Sequence, residues 1–462
     1  MPVFQRIDDP MEKFWELYRD RTSDHDRTSR YSQNRRYYRG LQYQEGQAKA
    51  GLFQRIRPLF GYVAQIVDTD MDLVMGENLE PLYPDQEEAS ATIQQIWADS
   101  EFGIHKSLLV LYGALTGDGY VKVVDNRQWA YNPRPDPKKP VLLNVLKPEI
   151  VFPRYNESNR EEMECCLIEY SVGEGNQIYG ELWTKNAVAV QVPEDWPEPS
   201  ATWAHEYGEI PIVHIRNLDL GEDFGFSSFH NAHECLDALN ELGSFLLETA
   251  RTYGDPVYVA RGVQKGTLEK GMVTETGRAA STVWYVPTPE GVIEMVEFSG
   301  NVIGGLNETL DRIDAGFMRT YPELFLQMLR AGADLSGYGL RLRLMPLERK
   351  INRMRSNYFA GLKTALGLAM KLLGQEQADQ CDFVADPILP VDEAEALATQ
   401  RAEQQMGIKS RQSIAEERGI DWVEEVKRIE EERVASVENT RQMMEAQGGP
   451  RQGFGGQDNA SP

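Results

Sequence analysis

The side chains with the clearest chemical potential stand together at His230, His233, Glu234 and Cys235. Residues three apart share one helix face, so the two imidazoles could present paired metal ligands. The HExxH zinc pattern is not completed, because no second histidine follows Glu234 at the required offset. A metal-dependent nuclease or hydrolase using the His230/His233 region is therefore the alternative reading, not the leading one. Asp68, Asp70 and Asp72 alternate in DTDMD. On a helix Asp70 would not share a face with the other two, so a solvated helix face is expected there rather than a metal cluster. No GxxxxGK[ST] phosphate loop, no GxSxG elbow and no kinase signature set occurs. No catalytic residue, cofactor or metal site is expected.

The charge balance narrows the choice further. The 462 residues carry 48 basic and 72 acidic side chains, a formal net charge of −24. A conventional nucleic-acid binder would show a basic footprint. An acidic surface instead suits a protein past which DNA slides without being gripped, and it also confers solubility. Two stretches run against this background. In the first, Tyr31, Tyr37, Tyr38 and Tyr43 interleave with Arg30, Arg35, Arg36 and Arg39. That mixture could stack on a single strand, but a helix whose tyrosines pack while its arginines meet acidic neighbours is favoured. The second runs from Arg341 through Arg343, Arg349, Lys350, Arg353, Arg355 and Lys363 to Lys371, with only Glu348 opposing. Its bulk is expected to pair with acidic neighbours such as Glu323, or with another subunit.

The cysteines at 165, 166, 235 and 381 form no CxxC pair and are expected as free thiols in a reducing cytosol. Cys165 and Cys166 should point to opposite faces of a strand. The opening MPVFQRIDDP does not read as a signal peptide, and no apolar run reaches the roughly 18 residues of a membrane span.

The elements that must position these residues follow from periodicity and punctuation. Helices are expected over about 59–76, 87–99 and 104–117, then a turn at Asp118-Gly119 and a strand from Tyr120 to Val124. Further strands are expected within 141–155, at 165–170, at 177–184 and from Ile210 to Ile215. The Pro-rich stretch 192–203 reads as loop. A Gly/Asp-rich loop, Asn217–Gly225, leads into a long helix over 226–252. Short strands fill 256–300. Helices follow over 302–320, then 324–329 after Pro322, and 344–373 after the break GADLSGYG. A strand over 381–391 precedes an acidic helical region to about 444, broken at Gly407 and at 419–421. The Gly-rich tail reads as disordered.

Five strings in this order resemble the portal proteins of tailed double-stranded DNA phages: ALTGDGYVKVV, GEIPIVHIRN, FGFSSFHNAHECLDALN, LSGYGLRLRLMPLERKINR and ILPVDEAEALATQ…GIKSRQS. YYRGLQ is similar to an element near their N-terminal helix. The resemblance implies an α+β, multidomain portal fold. Its parts would be an α/β wing (1–225), a stem helix (226–255), a small α/β clip (256–300), a second stem helix (301–322), a tunnel-loop region (323–343), a long kinked helix with a returning strand (344–390), a helical crown (391–445) and a tail (446–462). It implies a head–tail connector, a homo-oligomeric ring, usually of twelve subunits (a dodecamer), at one capsid vertex of the virion, assembled in the host cytoplasm. Double-stranded DNA would pass through the ring in packaging and ejection. Its partners would be the terminase large subunit, then a head–tail adaptor, with the major capsid protein and scaffold, and no membrane. The subunit would catalyse nothing. The tunnel loop would comprise Leu329, Arg330, Gly332, Asp334, Leu335, Ser336, Gly337, Tyr338, Gly339 and Arg341. Clip contacts would involve Arg261, Lys265, Lys270, Arg278 and Trp284. A plain structural head or adaptor protein is disfavoured by two stem-length helices bracketing a β insertion.

Overall fold

The computed structural model describes residues 4–7, 12–20, 24–43, 59–84, 86–127, 136, 138–172, 177–196, 199–254, 257–261, 283–286, 292–296, 301–326, 337–375, 381–388, 400–417 and 422–447. It divides into two compact units, Met1–Ile388 and Leu389–Pro462.

In the first unit, alternating apolar runs build a six-stranded antiparallel sheet. Its order is β1 (Phe4–Ile7), β9 (Ala201–His205), β8 (Ala187–Gln191), β7 (Gln177–Thr184), β6 (Asn159–Val172) and β5 (Val151–Asn156). Period-two alternation gives that sheet two faces. Cys166, Ile168, Trp183, Val188 and Val190 pack with Tyr120, Leu146 and Ile212. Those three come from a second sheet, ordered β10 (Ile212–Arg216), β3 (Asp118–Asp125), β4 (Val141–Leu146). The opposite face carries Cys165, Leu167 and Leu182, covered by Phe14 of α1 (Glu12–Asp20). The adjacent cysteines thus enter different clusters, as strand geometry requires, and both are free thiols.

Four helices, α2 (His25–Tyr38), α3 (Tyr62–Met75), α4 (Glu87–Asp99) and α5 (Phe102–Thr116), accompany these sheets. Two long helices, α6 (His233–Gly254) and α7 (Asn301–Thr320), bracket a three-stranded sheet ordered β12 (Val283–Val286), β11 (Val257–Arg261), β13 (Val292–Val296). The chain then makes a short 3-10 turn, Pro322–Leu324, and re-enters as α8 (Gly337–Leu372). Leu344, Leu347, Ile351, Met354, Tyr358, Leu362 and Leu366 recur at helical spacing along its buried face. A short strand β14 (Asp382–Val384) pairs with β2 (Glu80–Leu82). The second unit holds a helical stretch 400–405, then α9 (Arg411–Glu417) and α10 (Trp422–Gln447). Gly407, at φ +72°, makes the first expected break there.

Several expectations are corrected. Asp118-Gly119 is not a turn but the start of β3, because Gly117 at φ +99° already ends α5 and reverses the chain. The stretch 192–203 is not all loop, since β9 begins at Ala201 and pairs with both β1 and β8. Residues 226–232 are not helical. Phe226 and Ser228 give their backbone N–H groups to Leu218 and Ala114 carbonyls at 3.0 and 2.9 Å, so the helix starts at His233. The long helix starts at Gly337 rather than at 344, and it contains Pro346. The strand expected over 381–391 shrinks to Asp382–Val384, beyond which Pro387 offers no ladder donor.

Candidate channel-forming elements and their anchorage

The two bracketing helices are rooted in one apolar cluster. Leu236 and Leu239 of α6 and Phe317 of α7 meet Val63, Ile66 and Val67 of α3, Ala114 and Leu115 of α5, and Leu324. Tyrosine hydroxyls finish the anchorage. Tyr37 and Tyr43 donate to Asp237 at 2.8 and 2.5 Å, and Tyr62 donates to Asp314 at 2.6 Å. Burial first, then these carboxylates, push all three phenols up, so they remain donors throughout the neutral range. Asn240 accepts from the backbone N–H groups of Leu59 and Phe60 at 2.6 and 3.1 Å. The Tyr/Arg stretch is therefore a packed helix rather than a stacking platform. Tyr31 and Tyr37 are buried, and Arg35 binds Glu149 at 2.6 Å.

Above that root, α7 changes character. Among the described residues, nothing beyond the local helix backbone lies within 4 Å of where a Cβ on Gly304, Gly305 or Gly316 would stand. Gly305 and Gly316 are eleven positions apart, close to three full turns, so they share one face, and both are exposed. Glycine in a helix interior costs about 0.5–1 kcal/mol relative to alanine. Nothing among the described residues requires these small side chains.

The loop before α6 is fixed by Asn217, Asp118 and a glycine pair. Fully buried Asn217 accepts from the Tyr358 hydroxyl at 3.0 Å and donates to Phe226 O and Ser228 Oγ at 3.3 and 3.2 Å. Asp118 accepts from Gly225 N–H at 2.7 Å, from the Tyr31 hydroxyl, and lies 2.7 Å from His214 Nε2. A Cβ on Gly225 would lie 2.1 Å from Gly117 O, and one on Gly117 would lie 2.2 Å from Gly225 O. The two backbones touch, so neither position takes a side chain.

The basic run on α8 mostly finds partners inside the chain. Lys350 binds Glu323, as expected from sequence. Lys363 meets Asp382 at 3.1 Å and Lys371 meets Glu209 at 2.9 Å. Arg355 donates to the carbonyls of Leu73 and Asp386 at 2.8 Å each. Arg343 stands over the Phe325 ring at 5.7 Å. Asp70, expected on a solvated face, is instead fully buried beside Lys350.

The two histidines do not form a ligand pair. His230 Nδ1 lies 3.2 Å from Ser227 O and its ring meets Phe226 at 5.3 Å. His233 sits between Tyr37 and Phe229 at 4.4 and 5.8 Å, and burial, partly offset by Asp237, lowers its pKa. Among the described residues no group of three or more His, Cys, Asp or Glu could hold a metal ion.

Of the residues expected in the tunnel loop, Gly337, Tyr338, Gly339 and Arg341 lie in the first turns of α8, where the two glycines adopt helical backbone. Leu329, Arg330, Gly332, Asp334, Leu335 and Ser336 lie outside the described residues. Of the clip residues, Arg261 ends β11, and Trp284 of β12 pairs in register with Val259. Lys265, Lys270 and Arg278 lie outside the described residues. Asp118, Asn217 and Asp70 were not singled out as structural centres. The asparagine and glycine of the resembling strings carried the only signal for that loop.

No curated protein matches the chain. Among solved structures it is similar to a chain of the "Virion of native gene transfer agent (GTA) particle", at 15% identity and TM-score 0.47, covering 85% of this chain and 93% of that one. It is also similar to a chain of the "Neck of empty GTA particle computed with C6 symmetry", at 15% identity and TM-score 0.44, covering 78% and 90%. The family described as "Phage portal protein, SPP1 Gp6-like" matches residues 20–439. With the match running from residue 20 through β2–β14, both long helices and α8, the chain belongs to that portal family, whose members are structural, non-enzymatic components of the capsid.

Proposed function

We propose that this chain is one subunit of a ring of twelve copies that forms the DNA channel at one capsid vertex. Duplex DNA passes through it during packaging and ejection. The sheet β11–β13 meets the terminase large subunit and later a head–tail adaptor, and the ring meets the major capsid protein and scaffold. The segment between α7 and α8 lines the constriction, with Asp334 toward the DNA.

The observation that carries this reading is the open glycine face of α7. Gly305 and Gly316 weaken the helix and serve no contact within the described chain. Small residues on an exposed helix face permit close approach by another helix, and a closed ring supplies one to every subunit. The acidic balance of −24 agrees with a channel that does not hold its cargo.

Negative-stain images of the purified chain test the assembly. Rings with a central hole wide enough for a duplex are expected. Monomers alone at micromolar concentration would overturn it. For the lining segment, Asp334→Cys should be labelled in empty rings and protected when DNA fills the channel. Equal labelling in both states would return the segment to a plain helix connector.

A further inference from the structure

The turn Pro322–Leu324 carries the chain out of α7 and rests on α3 and α8. Three ionisable groups are enclosed beneath it. Asp70 of α3 and Glu323 of the turn have fully buried side chains, and Lys350 of α8 is 11% exposed. Lys350 Nζ donates to Glu323 Oε1 and to Ser228 O, the latter at 3.3 Å, and stands 3.8 Å from Asp70 Oδ2. Neither Asp70 oxygen nor Glu323 Oε2 receives a well-formed hydrogen bond.

With both carboxyls ionised, one ammonium, itself mostly buried, would face two buried anions. Like charges so close cannot both ionise without penalty. A proton on one carboxyl removes the excess charge and turns an orphaned oxygen into a donor toward the other carboxylate. We propose that Asp70 and Glu323 share one proton over Lys350, and that this proton latches the turn Pro322–Leu324 onto α3 and α8. The proton comes from solvent and returns to it when the turn opens, and no covalent bond changes.

The surrounding charges agree. The Asp70 carboxyl is pushed up to about 7, first by burial, with Lys350 opposing and Glu323 adding to the shift. Burial disfavours the Lys350 charge, but Asp70 and Glu323 outweigh it and hold the ammonium above the ordinary lysine range. The Asp70 carboxyl therefore titrates near neutrality and the lysine does not. From α8, Arg353 opposes the Lys350 charge and buried Tyr358 faces Asp70. Beside the turn, Tyr321 is pushed up to about 12 by burial and Glu323. From α3, Asp68 and Asp72 are exposed. The Ser228 hydroxyl reaches Asp70 from the segment that also carries His230 and His233.

The folded Asp70 keeps its proton to a higher pH than its ordinary value of 3.8. The latch is therefore complete below that value, weakens as pH rises toward about 7, and is lost above it. A firm or loose turn would set how the base of the α7–α8 segment is held. That consequence rests on the channel reading, but the latch lies within one chain and does not.

The test uses full-length protein. Infrared spectra near about pH 6 should show the carbonyl band of a protonated buried carboxyl, absent near about pH 8.5 and absent in Asp70→Asn and Glu323→Gln. Amide exchange of Tyr321–Phe325, corrected for its intrinsic pH dependence, should lose about tenfold protection between those two pH values in the wild type. It should stay constant in Asp70→Asn, which is charge-balanced without a proton. The histidines are untouched by this substitution, so an Asp70→Asn profile that follows the wild type would overturn the latch. So would a missing carboxyl band, or wild-type protection that does not change with pH. If Asp70→Asn fails to fold, Glu323→Gln gives the same reading.

Discussion

Replacing Asn217 by alanine tests how the loop leading into α6 is held. The amide is fully buried and holds the Tyr358 hydroxyl, Phe226 O and Ser228 Oγ at 3.0, 3.3 and 3.2 Å. Its backbone bond to Gly117 O, 2.8 Å, survives in alanine. The fully buried Tyr358 hydroxyl would lose its acceptor, costing about 1–3 kcal/mol, and the two acceptors would lose a donor at about 0.5–1.5 kcal/mol each. The expected loss is about 4 kcal/mol. Tyr358→Phe removes the partner hydroxyl and should cost about 1–2 kcal/mol. Because the two groups meet only each other through that bond, the double variant should fall short of additivity by about 1–2 kcal/mol. The assay is chemical denaturation of all four chains at one protein concentration, since association among copies shifts apparent stability. A loss below about 1 kcal/mol for Asn217→Ala, or strict additivity, would refute the hub.

Other outcomes follow from the same contacts. Gly225→Ala should fail to fold or lose more than about 3 kcal/mol, since its Cβ would stand 2.1 Å from Gly117 O; a soluble variant of unchanged stability would contradict the backbone contact. Gly316→Leu meets only open space among the described residues, so it should fold with unchanged circular dichroism yet form no rings; normal rings would remove the glycine face from the interface. Burial alone would raise the Glu181 carboxyl, but Lys122, with hydrogen bonds from Trp183 and Tyr179, outweighs it and holds it below its ordinary 4.5. Its contribution is present above that value and lost as pH falls through the folded one, so Trp183 fluorescence should report acid unfolding that is less steep in Glu181→Gln. The same variant leaves Lys122 buried without its anion and should lose about 3–5 kcal/mol at neutral pH; an unchanged neutral stability would show the pair is dispensable.

The elements with a clean local period were legible. Glu87–Asp99 was expected at the observed bounds, and the strands expected at 165–170 and 177–184 fall in β6 and β7, which pair antiparallel. The order helix, small sheet, helix was legible because Pro256 and Pro322 punctuate it. What failed had a tertiary cause. Residues 226–232 were expected as the start of the helix, yet Phe226 and Ser228 give their N–H groups to the Leu218 and Ala114 carbonyls instead. Asp118-Gly119 is a turn pair by composition, yet the turn had already been made by Gly117.

Asp70 shows why the junction could not be read from spacing. Helical geometry correctly separated it from Asp68 and Asp72, which are exposed while it is buried. Geometry on one helix cannot say what covers the third face. The cover comes from Glu323 and Lys350, more than 250 positions away, and only their convergence makes an unremarkable aspartate an interior acid. The sequence did hold half of this, since a basic run in an acidic chain demanded a partner and Glu323 was the nearest candidate. A buried lysine with one carboxylate is a balanced pair, so a second carboxylate beside it is either a liability or a device. Placing that excess charge under the turn Pro322–Leu324, where the chain leaves α7 and rests on α3 and α8, puts a titratable group at a junction of three helices, so its protonation bears on the contacts all three make there.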